Sequence, residues 1–243
     1  MSYTDLNLIH SEYLGLQVYD QVLAQQLELS NSVRGTKQVH VLAMEFHPVI
    51  TLGVRGRAED DLVLAAESKI PVVKTDRGGQ ATMHMPGQLV VYPMIDLKAY
   101  GIGVRDFVCV MSKATSSTLK NYGIKAFSSD EAPGLYTVHG KIAFIGIRLD
   151  RGVVRHGLSL NVMNDVAQFT AIRSCGVTSA AIDRVGNYET LLPMDLKSVF
   201  EKWMIEFGRE LDLVQRANNE VCSLQSAKEP VTIKANSKRA DIA

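Results

Sequence analysis

Cys175 stands in IRSCGVTS, residues 172–179, where a sulfur precedes a glycine and is flanked by Arg173 and Ser174. A lone cysteine is most often a small buried hydrophobe. A thiol in a polar, glycine-bearing loop has access instead, and a neighbouring cation would favour the thiolate, the form that attacks carbonyls. Both readings stand on the residues alone. Lys141 opens HGKIAFIGI just after a turn. Such a lysine is either solvated or, with its stem held by Ile142 and Phe144, turned into a cleft where desolvation lowers its pKa and makes it a base. An amine so placed would also stabilise a thiolate.

The stretch RGGQATMHMPGQ, residues 77–88, is the most irregular of the chain. Gly78 and Gly79 permit a turn or a close backbone approach to a ligand, and Arg77 and His84 bracket them, so a plain glycine hairpin and a ligand loop are equally open. In HGLSLN, Gly157 follows His156 inside a strand, a place where glycine marks close approach. GLYTVHGK is no phosphate loop: five residues separate Gly134 from Gly140 where four are needed, and Ile142 replaces the Ser or Thr. His84, His139 and His156 lack the i,i+4 spacing of helical ligands, so no metal is expected. Cys109, beside apolar helical positions, and Cys222, near a polar tail, read as inert.

These residues sit in a chain of 243 with 46% hydrophobic content, enough for a core of its own. Lys+Arg and Asp+Glu both number 26, so no global field favours nucleic acid or an anionic membrane. No run approaches the roughly 18 apolar residues of a membrane span, and the start lacks a basic segment followed by an apolar one, which reads as cytoplasmic. Three widely spaced cysteines argue against a disulfide framework and against a paired-cysteine zinc site.

The elements that must position the candidates follow from periodicity. Residues 16–29 place Leu16, Tyr19, Leu23 and Leu27 on one helical face. Segments 38–46, 49–52, 72–75 and 89–95 read as strands, and Glu59-Asp60-Asp61 opens a short helix. Residues 103–122 form a helix ending at Gly123. GLYTV, KIAFIGIRL and VVRHGLSLNV, joined by turns at 139–140 and 150–152, make an antiparallel meander. A last helix after Pro193 carries Leu196, Val199, Phe200, Trp203, Met204 and Phe207. Dispersed helices with mostly antiparallel strands predict α+β. One domain over 1–225 and a polar tail over 226–243 are expected.

Six ordered stretches, YLGLQVYDQVLAQQ, EFHPVITLGVRG, RGGQATMHMPGQLVVYPMIDL, GLYTVHGKIAFIGIRL, RHGLSLNV and SCGVTS, make the chain resemble the lipoyl(octanoyl) transferases. The resemblance implies the biotin/lipoate protein ligase-like fold, a mixed or antiparallel sheet flanked by helices. It implies that Cys175 carries the acyl group as a thioester and that Lys141 lowers its pKa or takes its proton. Arg77, Gly78, Gly79, Gln80, Ala81, Thr82, Met83 and His84 would border the acyl chain, with Phe144, Ile145, Gly146, Gly157, Leu158 and Ser159 completing the pocket. The implied partners are octanoyl-acyl carrier protein as donor, and as acceptors the lipoyl domains of 2-oxoacid dehydrogenase complexes and the glycine cleavage H protein. No cofactor or metal is implied. Arg55, Arg57, Lys74, Arg148, Arg151 and Arg155 offer a basic rim for acidic carriers. Oxyanion donors would come from near Gly176 or from the Gly78-Gly79 turn.

Met85 replaces the family's usual glycine, Met83 a frequent tyrosine and Ser174 a common proline; a side chain at 85 would either restrict the backbone or narrow the acyl pocket, which leaves the preferred chain length open. The rivals are an ATP-dependent lipoate or biotin ligase on the same fold, which needs no cysteine, and a non-catalytic acyl-carrier binding module.

Overall fold

The structure, a computed structural model, describes residues 8–63, 69–129, 133–173 and 181–226, with side chains to 218. In chain order the elements are β1 (Ile9–Gln17), α1 (Tyr19–Ser32), β2 (Val39–Phe46), β3 (Val49–Leu52), α2 (Ala58–Asp61), β4 (Val72–Lys74), β5 (Ala81–His84) and β6 (Gln88–Ile95). They continue with α3 (Leu97–Tyr100), α4 (Val104–Asn121), β7 (Phe127–Ser128), β8 (Gly134–Thr137), β9 (Gly140–Asp150), β10 (Val153–Asn161) and α5 (Leu196–Ser226).

Seven strands form the main sheet in the order β1-β2-β6-β10-β9-β8-β7, and β4-β3-β5 form a smaller second sheet. Pairing is antiparallel except for β1 on β2 and β4 on β3. The arrangement is the expected α+β fold with a mixed sheet flanked by helices.

Strand β6 explains the layering. Its continuous apolar run is what a strand covered on both faces needs. Leu89, Val91 and Ile95 join the core under α4 and α5, whereas Val90, Tyr92 and Met94 pack with Tyr19 and Val22 of α1. On the helix side the stripe from Leu196 to Phe207 is buried as its spacing predicts, and Trp203 Nε1 donates to Thr115 Oγ1 of α4 at 2.9 Å. That bond satisfies the polar edge of a side chain whose burial removes a large apolar surface from water.

Three expectations are corrected. Residues 9–17 form a strand, so the first helix starts at Tyr19, and its buried face is Tyr19, Val22, Gln26 and Ser30, with Leu16 and Leu27 exposed. The stretch 81–84 inside the glycine-rich segment is a strand, because pairing with β3 supplies the hydrogen bonds that its sequence does not advertise. Cys109 is exposed on α4, on the side turned from the core. Cys222 lies in α5 beyond the described side chains.

Candidate acyl-transfer site

A cavity of about 340 Å3 opens between the segment 77–82 with the small sheet and the strands β6, β9 and β10. Of the fourteen residues expected to bind the acyl group, thirteen line it. Met83 is the exception. Thr82 and His84 face the cavity, and strand alternation turns Met83 into the apolar cluster with Ile50, Leu52 and Phe169. Met85 is buried in the same cluster, so neither methionine narrows the cavity.

Lys141 is 2% exposed and is the first of the β9 residues that line the cavity, which continue with Phe144 to Ile147. Its Nζ lies 4.8 Å from the Phe144 ring centroid and 5.2 Å from that of Tyr136, within cation–π range. Gly134 makes the room: a Cβ there would stand 2.7 Å from Lys141 Cε and 2.3 Å from Ala143 O. The backbone of Lys141 is clamped by the chain at 181–183, with its N–H donating to Ala181 O (2.8 Å) and its carbonyl accepting from Asp183 N–H (3.0 Å). Asp183 is itself a buried hub that accepts from Thr137 Oγ1, Tyr188 OH, Asn187 Nδ2 and Arg184 N–H. Burial pushes its carboxyl up, but these donors outweigh that and hold it below the usual carboxylate range. Cys175, Ser174 and Gly176 lie outside the described residues. On the near side of that segment Arg173 N–H donates to Asp61 O (2.8 Å).

Arg77 holds the glycine loop. Its Nε and Nη2 donate to Thr51 Oγ1 (3.0 and 2.9 Å), Nη2 also to Thr51 O (2.6 Å) and Gln80 O (2.7 Å), and Nη1 to Gly78 O (3.0 Å). Gly78 N–H donates to Ile147 O (3.0 Å), which fastens the loop to β9 past the end of β8 and leaves that N–H no part in an oxyanion hole. Glycines let the loop come this close. A Cβ at Gly53 would meet Gly79 O at 2.4 Å, and one at Gly146 would meet Gly78 O at 3.0 Å.

His84 donates from Nδ1 to Gln88 Oε1 (2.7 Å), because the Gln88 amide N–H groups are committed to Met83 O and Asn161 Oδ1. Burial pushes the His84 pKa down to about 4, against the Gln88 bond. The unfolded chain therefore binds a proton near pH 6.5 that the folded chain refuses until about pH 4. Stability is expected to be full above pH 6.5 and to decline as pH falls to about 4, by up to about 3 kcal/mol from this group. His84→Gln should flatten the thermal midpoint across that window, measured by unfolding at pH 4, 5, 6 and 7.

His156, Tyr92, Val108, Pro133 and Ile147 also line the cavity without being expected from the sequence, and Arg55 of the expected basic rim joins them. For His156 the signal was a polar residue beside Gly157 on a buried strand. Strict alternation would put it with Leu158 on the helix side. Instead Pro93, which has no N–H, coincides with the end of the β6–β10 ladder at Leu158, and His156 takes a left-handed φ of 56°. Its ring turns to Tyr92, edge-on at 5.8 Å, and its Nε2 bonds Asp76 Oδ1 at 2.8 Å. The left-handed conformation costs a non-glycine residue about 1–2 kcal/mol. Arg155 pairs with the same Asp76, and Arg148 lies 3.9 Å from it, so these two members of the expected basic rim face a carboxylate. Arg55 stays exposed at the cavity.

Among the described residues, no three His, Cys, Asp or Glu side chains gather as for a metal ion, and no helix is long and apolar enough to cross a membrane.

The fold, a large mixed sheet and a small sheet flanked by helices, is shared with lipoate and biotin protein ligases. A crystal structure of lipoate-protein ligase A bound with ATP superposes with a TM-score of 0.70 at 15% identity, covering 84% of this chain and 85% of the other. Biotin protein ligase from Aquifex aeolicus superposes with a TM-score of 0.51 at 11% identity, covering 85% and 70%. Residues 18–208 match the family described as "Lipoyl protein ligase A/B catalytic domain". The octanoyltransferase of Halorhodospira halophila is 40% identical over 190 residues, 78% of this chain and 86% of that protein. The chain belongs to the lipoyl protein ligase A/B catalytic-domain family, within its octanoyltransferase branch.

Proposed function

We propose that this protein moves an octanoyl group from acyl carrier protein to a lysine of a lipoyl domain, through a thioester on Cys175. The catalytic domain is residues 1–225, working in the cytoplasm. The observation that carries the reading is Lys141: an amine 2% exposed at the head of an acyl-sized cavity, its backbone clamped by the chain that leaves the Cys175 segment. In the first step the Cys175 thiolate attacks the donor thioester carbonyl and the carrier thiol leaves. In the second the acceptor lysine amine attacks the acyl-enzyme, the C–S bond breaks and the thiolate is regenerated. Lys141 takes the Cys175 thiol proton and gives it to the departing carrier sulfur in the first step, and takes the proton lost by the acceptor amine in the second, which restores the thiolate beside an ammonium.

Exchange of one thioester for another is near thermoneutral and amide formation runs downhill, so no nucleotide is needed. The acceptors in this reading are the lipoyl domains of 2-oxoacid dehydrogenase complexes and the glycine cleavage H protein. Mixing the protein and a lipoyl domain with octanoyl-carrier protein without ATP, or with free octanoate and ATP, separates transfer from ligation. Intact-mass measurement is expected to find octanoylated lipoyl domain in the first mixture. Product in the second alone would replace this reading with an ATP-dependent ligase.

A further inference from the structure

We infer that the end of the cavity remote from Lys141 is a hydrogen-bonding subsite, where His156 Nδ1 accepts from a hydroxyl or thiol carried near the far end of an acyl chain. This rests on the cavity being the acyl site. His156 lines it, is 1% exposed, and its Nδ1 is buried with no hydrogen-bond partner. Its other nitrogen, Nε2, donates to Asp76, which is half-exposed and not part of the cavity wall. The two ring nitrogens of an imidazole point in nearly opposed directions, so Nδ1 is turned inward. Arg155 holds Asp76, which keeps the proton on Nε2 and leaves Nδ1 an acceptor. A second buried polar atom without a partner, Thr82 Oγ1, belongs to the same wall.

The spacing fits an acyl chain. Lys141 Nζ lies over Phe144, and His156 pairs with Ile147 three residues further along β9, about 10 Å at 3.3 Å per residue. An extended eight-carbon chain has that length. Plain octanoyl would end against an acceptor with nothing to receive, whereas a terminal hydroxyl would meet its partner. Buried polar atoms without partners are uncommon and point to a missing ligand group or ordered water.

Calorimetric titration of the wild-type chain with octanoic acid and with 8-hydroxyoctanoic acid tests this without relying on transfer chemistry. The hydroxy acid is expected to bind at least as tightly as octanoic acid, although a hydroxyl buried in a purely apolar pocket would weaken binding tenfold or more. In His156→Phe, with folding checked by its thermal midpoint, the preference should swing at least tenfold toward octanoic acid. Weaker binding of the hydroxy acid to wild type overturns the subsite, and so does an unchanged ratio in the folded variant. Failure of both acids to bind overturns the acyl-site reading beneath it, whereas loss of transfer with the binding order intact leaves the subsite standing.

Discussion

Cys175→Ala is expected to lower octanoyl transfer by about 10^3-fold or more, the scale on which loss of a nucleophile acts when the rest of a site is left in place. The reason is chemical. Without a sulfur to accept the acyl group, the acceptor lysine must attack the carrier thioester directly, which needs two proteins docked at once around one cavity. Intact-mass spectrometry should show wild type gaining one octanoyl group from octanoyl-carrier protein and the variant gaining none. Turnover at undiminished speed in the variant would remove the covalent mechanism and leave a binding module or a direct-transfer enzyme.

Replacing Lys141 should have the next largest effect, a loss on the order of 10^2–10^4-fold in kcat/KM, the range ascribed to a positioned proton-transfer group. Lys141→Met keeps the length and apolar stem in a site where the side chain is 2% exposed, so the fold should hold. Alkylation of Cys175 by iodoacetamide should slow at neutral pH in that variant, and the pH of half-maximal reaction should rise as the nearby cation is lost. Lys141→Arg divides charge from proton transfer. A guanidinium keeps the cation but does not release a proton, so alkylation should survive while turnover does not. Equal turnover by the arginine variant would mean that the charge alone matters.

The periodic parts of the chain revealed themselves. Strands β2, β3, β6 and β8–β10 carry β-formers between turn signals, and α5 shows its stripe from Leu196 to Phe207. What stayed hidden depends on partners distant in sequence. Residues 9–17, IHSEYLGLQ, contain few β-branched side chains and become a strand because β2 offers a parallel edge. ATMH at 81–84 is punctuated by glycines and held straight by β3.

The site divided in the same way. Lys141 and the glycine loop stand out by local oddity, an amine opening an apolar strand and paired glycines after Arg77. In HGLSLN the sequence points to Gly157 rather than to His156, whose alternation matches Leu158 on the helix side; only the end of the β6–β10 ladder beside Pro93 turns its ring round. Met83 is the reverse case: as part of a loop it would border the acyl chain with its neighbours, and as strand it points to the other side.

The carbonyls of Gly78 and Gly79 lie against Gly146 and Gly53, with no space for a β-carbon at either contact. On this flank the aperture is therefore set by peptide planes. Admitting branched or ring-bearing chains at these two contacts means rebuilding the main-chain path between Arg77 and Gln80, because Gly78 and Gly79 carry no side chain to trim.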